Sequence, residues 1–358
     1  MSHKSFVITV LSIVLACVLS SASFIYFIDP MWTFGHANSY NNVQTVIDER
    51  QQKTNTIHFQ PFNYDTLLIG SSRSTYINQH DFSGMDVYNF SASNLSVREY
   101  NPFIEYAKKR RGKEFDRVIL GIDFFKTSRD QSSTMLSLDR YIAKSNERFY
   151  RYKNLLSWDL LEYSYQNYKM SRDNTVLEER NYNRENVASA RKISPDKVKQ
   201  QTEGKIEKFR QMFYGKTYAY NPQYKNILMQ LKKNNPNTEF IIFTTPISTP
   251  LFKELVAQNR LPAYERWLTD VTDVFGGVHN FMYPNTVTNE INNYFDGHHF
   301  YPQVGTLIAH RLSGESKDVP EDFGVYITKE ELPEHLQKVR KQAAELGKED
   351  NANQQGSK

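Results

Sequence analysis

Two short stretches, more than two hundred residues apart, carry the side chains best suited to chemistry: Leu67-Leu68-Ile69-Gly70-Ser71-Ser72-Arg73 and Asp296-Gly297-His298-His299. A serine hydroxyl is a weak nucleophile near neutral pH. It needs a base to take its proton and a third group to hold that base. Asp296 and His299 stand three residues apart and fit on one side of a single turn, where a carboxylate can steer an imidazole. Brought to Ser72, or to its neighbour Ser71, they would form an acyl-transfer site. Taken singly, each motif is ordinary: Gly-Ser-Ser also caps turns or cradles phosphate, and Asp-x-x-His also occurs in surface turns. The Gly-x-Ser-x-Gly elbow is absent, because Ser74 stands where its second glycine would be. A metal site through Asp296, His298 and His299 lacks any accompanying ligand cluster, so neither a metal nor another cofactor is expected.

The elements that must position these residues follow from hydrophobic spacing. Thr66–Ile69 and residues 87–90 read as strands, followed by helical spacing over 98–109. Arg117–Ile122 is almost wholly apolar, as a strand buried on both faces should be. Beyond it come a helix at 222–233, a strand at 240–244, a helix at 263–275 closed by Gly276-Gly277, a strand at 278–281 and a final helix at 302–312 with proline in its first turn. The alternation predicts a parallel sheet covered by helices on both faces. Ser72 would then leave the carboxyl end of a central strand and enter a helix, whose first N–H groups suit a developing oxyanion.

Residues 126–215 break this pattern. They are helical in spacing and rich in Tyr, Arg and Lys, and read as an insertion or lid. Between Arg140 and Lys216 basic residues exceed acidic ones by seven, against a net +4 for the 358-residue chain. Tyrosine faces could stack on sugar rings, though most would serve the insertion's own packing. A basic patch without a recognised binding motif does not indicate nucleic acid.

Residues 6–28 are nearly unbroken apolar sequence, about 35 Å long as a helix and enough to span a bilayer. Lys4 before and Asp29 after the run favour an N-terminus inside and the rest outside. Ser20-Ser21-Ala22 offers a signal-peptidase cut, but the apolar run continues past it, which favours a retained anchor. The single cysteine, Cys17, lies within this run and resembles a lipoprotein box only loosely, Leu15 fitting it poorly. The expected organisation is a cytoplasmic 1–5, an anchor 6–28, a linker 29–63, an α/β domain of 64–125 and 216–313, the insertion 126–215, an extension 314–344 and a disordered tail 345–358.

With these residues in view, the chain resembles the SGNH (GDSL-type) hydrolase superfamily. Gly70-Ser71-Ser72 aligns with the family's Gly-Asp-Ser block and Asp296-Gly297-His298-His299 with its Asp-x-x-His block. More narrowly, Tyr88-Asn89-Phe90-Ser91, Leu120-Gly121-Ile122-Asp123-Phe124-Phe125 and His299-Phe300-Tyr301-Pro302 followed by Gly305 look like the membrane-anchored branch. That branch includes alginate-type O-acetyltransfer proteins and the teichoic-acid D-alanylation protein. The resemblance implies a flavodoxin-like three-layer α/β/α domain, with Ser72 as nucleophile, His299 as base and Asp296 as its orienting carboxylate.

Two departures shape the expected oxyanion hole. Ser91-Ala92-Ser93-Asn94 replaces the second block's glycine. Asp123 stands where the third block has an asparagine, and a carboxylate cannot donate unless protonated. The hole would rest on the Ser72 N–H and a donor near Asn94, with Ser91 close by. Arg73 and Asp123, at the ends of neighbouring strands, are expected to form an ion pair flanking the nucleophile.

The function expected is an extracytoplasmic, membrane-anchored serine acyltransferase that O-acetylates a cell-surface or secreted polysaccharide. Its acceptor would be an extracellular or periplasmic glycan. The resemblance implies a multispanning membrane acyltransferase as acyl donor. A carbohydrate O-acetyl esterase and a non-catalytic scaffold with the same fold are the alternatives.

Overall fold

The computed structural model describes residues 2–133, 137–315 and 317–355. The chain divides into two compact units, Met1–Phe62 with Ser137–Arg191, and Asn63–Leu136 with Lys192–Lys358.

The second unit is α/β. Its strands are β1 (Thr66–Ile69), β2 (Val87–Asn89), β3 (Arg117–Ile122), β4 (Glu239–Thr244), β5 (Gly277–Asn280) and β6 (Val325–Thr328). They form a mixed, mostly parallel sheet in the order β2-β1-β3-β4-β5-β6, in which only β6 runs antiparallel, beside β5. The central strands are buried throughout β1 and over most of β3, which explains their continuous apolar runs. Its longer helices are α1 (Tyr100–Arg111), α2 (Pro195–Lys208), α3 (Tyr224–Lys233), α4 (Thr249–Ala257), α5 (Leu261–Phe275), α6 (Pro302–Leu312) and α7 (Leu332–Gln355).

Three features of this unit depart from the sequence-based expectation. The chain enters a three-residue 3₁₀ turn at Ser74–Tyr76 after Ser72, with no α-helix there. Residues 192–215 of the expected insertion, including α2, belong to the α/β unit. The expected disordered tail is helical as far as Gln355, because 343–346 (Ala-Ala-Glu-Leu) prolongs the good helix formers of α7. Residues 356–358 of that tail, like Met1 of the expected cytoplasmic segment and 134–136 of the insertion, lie outside the described set.

The first unit begins with the helix His3–Ile28, which is long and apolar enough to cross a membrane. Only Ile25 and Ile28 of it are buried. Asp29 ends it in the left-handed conformation. Its buried carboxylate accepts the N–H groups of Thr33 (2.7 Å), Phe34 (3.0 Å) and Gly35 (3.1 Å) and pairs with Arg184 at 2.6 Å. The helix end is therefore locked into the unit by a charge that has no unsatisfied side.

The expected linker, 29–63, is instead this unit's polar core. Glu49–Phe59 is a helix in which Glu49 through Asn55 are all buried. Side-chain amides satisfy the groups around it. Gln52 Nε2 donates to the Pro30 carbonyl (2.9 Å), Asn55 Nδ2 to the Met31 carbonyl (2.8 Å), and Gln51 Nε2 to Ser145 Oγ (2.9 Å). A search for apolar period cannot see a helix buried by hydrogen bonds.

Lys53, at the centre of this core, has its ammonium 5.0 Å from the Tyr182 ring. Burial pulls its pKa from 10.5 down to about 7, against the pull of Glu49 and with a further push from Arg180. Between those two values the unfolded chain holds a proton that the native chain lacks, so stability rises with pH across that window. The rise amounts to about 1.4 kcal/mol per pH unit at most. Thermal unfolding of the full chain in detergent should show a midpoint that climbs from pH 7 to 9.5. Lys53→Met should raise the midpoint at pH 7 and flatten the climb; an unchanged climb would show that the ammonium is not desolvated.

Candidate active site

The carboxyl ends of β1 and β3 deliver Ser72 and Asp123, and a tight turn ahead of α6 delivers Asp296 and His299. That turn is closed by an antiparallel bridge between Tyr294 and Phe300, with Phe295 N–H donating to the His299 carbonyl at 2.9 Å. Gly297 at its tip has φ +71°, and a Cβ there would lie 2.7 Å from Thr202 on α2 and 2.8 Å from Ser248 Oγ. Both the conformation and the space require glycine. Gly305 plays a related part in α6: a Cβ would lie 2.5 Å from the Tyr76 carbonyl, so glycine lets α6 close on the turn that follows Ser72.

These constraints bring three side chains into line. Ser72 Oγ is 3.0 Å from His299 Nε2, and His299 Nδ1 is 3.0 Å from Asp296 Oδ2. The distances suit a relay in which Asp296 fixes the imidazole with a proton on Nδ1, leaving Nε2 to accept from the serine. Asp296 Oδ1 accepts the N–H groups of His298 (3.0 Å) and His299 (2.8 Å), so the carboxylate is tied to the backbone of its own turn.

A fourth group completes the carboxylate. Lys205 Nζ, from α2, is 2.6 Å from Asp296 Oδ2, the oxygen that also faces the imidazole. Burial would raise the Asp296 carboxyl, but His299, Lys205 and His298 together hold it well below the usual carboxylate range. Asp296 is thus an anion at any ordinary pH. Nothing in the local sequence pointed to Lys205, which lies ninety-one residues before its partner in a stretch of lysines at mixed spacing.

Next to Ser72 is a cavity of about 140 Å³ lined by Ser71, Ser72, Asn94, Phe125, Lys205, Lys208, Phe209, Phe213, His298 and His299. Its aromatic wall is continuous. The Phe209 ring lies 4.8 Å from Phe213 and 4.8 Å from His298, and Phe125 lies 5.2 Å from Phe213. Phe209–Phe213 form a π-helical turn at the end of α2, closed by Tyr214 N–H to the Phe209 carbonyl at 2.7 Å. Such turns are frequent at functional sites, where they re-aim side chains. Burial drives the His298 imidazole well below its usual pKa, with Arg73 and His299 adding to the effect. It is therefore neutral and serves as part of the wall.

The oxyanion candidates separate. Asn94, at φ +59°, lines the cavity, and Lys126 donates to its side-chain oxygen and, at 3.3 Å, to its main-chain carbonyl. Because an ammonium can only donate, Asn94 Oδ1 faces Lys126 and the amide nitrogen takes the other direction. Ser91 is buried with its N–H on Asn89 Oδ1 at 3.0 Å and is not among the cavity's lining residues. Arg73 and Asp123 meet in a fully buried ion pair and do not line the cavity either. Asp123 Oδ1 also accepts Thr245 Oγ1–H at 2.6 Å, and the Arg73 guanidinium donates to the Thr245 (3.2 Å) and Pro246 (3.4 Å) carbonyls. The pair ties β1, β3 and the end of β4 together next to Ser72.

Among the described residues, no group of three His, Cys, Asp or Glu side chains is placed to hold a metal ion. No known family model matches this chain, and no curated protein matches it.

Removing one member of the buried pair strands the other. Asp123→Leu should cost about 3–5 kcal/mol, while Arg73→Met with Asp123→Leu should recover most of that loss. Urea unfolding followed through the buried Trp267 reads both. Equal losses in the single and double variants would show that the charges are not coupled.

Proposed function

We propose that this chain is a membrane-anchored serine acyltransferase whose α/β unit acts outside the cytoplasmic membrane and O-acetylates a cell-surface or secreted glycan. The observation that carries the reading is the run of two 3.0 Å contacts from Ser72 through His299 to Asp296. Ser72 attacks the acyl carbonyl as His299 takes its proton. The leaving group departs with that proton, and a sugar hydroxyl then repeats the cycle in reverse on the acyl-serine. The Ser72 N–H and the Asn94 amide, held by Lys126, are the donors for the oxyanion.

The sheet order supports a flavodoxin-like SGNH arrangement with an added antiparallel edge at β6. On this reading β1 and β3 flank the point where strand order reverses, where ligands of such sheets bind. The cavity supports a short acyl group. Its walls are aromatic, its volume is small, and the lysines Lys205 and Lys208 disfavour an acyl chain bearing an ammonium. Acetyl fits these conditions better than an aminoacyl group. The donor we propose is a multispanning membrane acyltransferase, with the helix His3–Ile28, N-terminus inside, keeping this chain beside it.

A fluorophosphonate probe on the full chain should label Ser72. Ser72→Ala should abolish labelling and lower acetyl-ester turnover by on the order of 10⁴ to 10⁶. Asn94→Ala should keep labelling but lose about 100-fold in kcat. Turnover that rises with added oligosaccharide supports transfer, whereas indifference to it supports an esterase. A chain that never labels, though folded, would end the enzymatic reading.

Lys205 makes a separate prediction. Its ammonium draws charge from the carboxylate that stabilises the imidazolium, so its loss makes that carboxylate a stronger partner for a protonated base. Lys205→Met should move the acid limb of the kcat/KM profile to higher pH, and Lys205→Arg should largely restore it. An unmoved limb would reduce Lys205 to packing.

A further inference from the structure

The exit of the apolar helix from the first unit is ringed by aromatic side chains from three separate segments. Phe24 lies edge-on to Tyr168 at 5.8 Å, Tyr168 stacks on Tyr40 at 5.5 Å, and Tyr40 reaches Phe27 at 6.1 Å. Tyr26 packs on Phe34 at 4.7 Å. Yet Tyr26, Phe27 and Tyr40 stay 40–49% exposed, so these rings do not build a core. The Arg172 guanidinium lies over the Tyr168 ring at 5.8 Å, one turn from Lys169 on the same helix, Trp158–Arg172.

Their level along the membrane helix is informative. From Phe6 to residues 24–27 the helix rises about 27–32 Å, the thickness of a bilayer's hydrocarbon layer. Up to Ser20 every described side chain of the helix is exposed, and the rings begin where that stretch stops. Amphipathic aromatics gather at this depth in membranes, and basic side chains beside them meet anionic headgroups.

We propose that Tyr26, Phe27, Tyr40 and Tyr168, with Lys169 and Arg172, form a collar that sits in the headgroup layer of a phospholipid bilayer. The first unit therefore meets the membrane through loop 34–40 and the end of the Trp158–Arg172 helix as well as through its anchor. The collar fixes the depth at which the helix emerges. This inference rests on reading His3–Ile28 as a membrane span.

The test uses the full chain in vesicles of phosphatidylethanolamine and phosphatidylglycerol brominated either near the headgroup or near the acyl chain end. Trp32 and Trp267 are buried, and Trp158→Phe removes the exposed tryptophan. In that background Tyr40→Trp, or Tyr26→Trp on the helix itself, reports depth. Bromine near the headgroup should quench the added tryptophan, and bromine at the chain end should not. Cys17, the only cysteine, independently reports the anchor through its protection from an impermeant maleimide. Protected Cys17 with no quenching would overturn the collar and leave the anchor standing. Labelled Cys17 would remove the anchor and the collar with it. Stronger quenching from the chain end would place the rings in hydrocarbon, and quenching that fades as protein density rises would assign them to contacts between copies; either overturns the collar.

Discussion

The Asp296 carboxylate is the constraint on which the site depends. A buried anion is costly unless each of its lone pairs is met. Here two backbone amides take Oδ1, while an imidazole and an ammonium share Oδ2. The two amides come from the same short turn, so the anion folds its own loop. The ammonium comes from α2, so the same anion also fixes the helix whose π-helical end supplies Phe209 and Phe213 to the cavity wall. One charge therefore sets the tautomer of the His299 imidazole and the position of the cavity's aromatic wall.

A second buried charge lies beside Ser72, at Arg73 and Asp123, and does different work. Asp123, just past the end of β3, turns its carboxylate to Arg73 and Thr245. A pair that ties three strands together is a reason for a carboxylate at the end of β3 that does not depend on catalysis. Lys126, contributed by the 3₁₀ turn that follows Asp123, donates to the Asn94 side-chain oxygen.

Much of this was legible in the sequence. Five strands in apolar runs, the Ser72 and His299 motifs at sheet ends, and the Arg73–Asp123 juxtaposition all follow from period and strand adjacency, which are local properties. Lys205 was not legible, because its partner is ninety-one residues away and a surface lysine looks the same with or without one. The π-helical turn was hidden because Phe209 and Phe213 stand at a spacing that any helix could carry. Strand β6 was missed because its exposed, antiparallel edge position gives it only a short and partly polar run. The helix Glu49–Phe59 was missed for a deeper reason. Its burial is sustained by amide side chains, and hydrophobic period is blind to that currency.

On the proposed membrane reading, that helix and the aromatic rings at the end of His3–Ile28 share one physical explanation. The first unit buries glutamine, asparagine, lysine and glutamate while leaving Tyr26, Phe27 and Tyr40 exposed. In water this distribution is unfavourable twice over, since apolar surface stays wet and polar groups lose theirs. Beside a bilayer the first penalty disappears, because lipid or headgroups replace water at the rings. Hydrogen bonds offset the second, as the side-chain amide nitrogens of Gln51, Gln52 and Asn55 show. A unit stabilised in this way needs little apolar core of its own. Its cohesion then rests on directed bonds such as Asp29 to Arg184, which hold the emerging helix at a defined angle where an oily contact would let it slide.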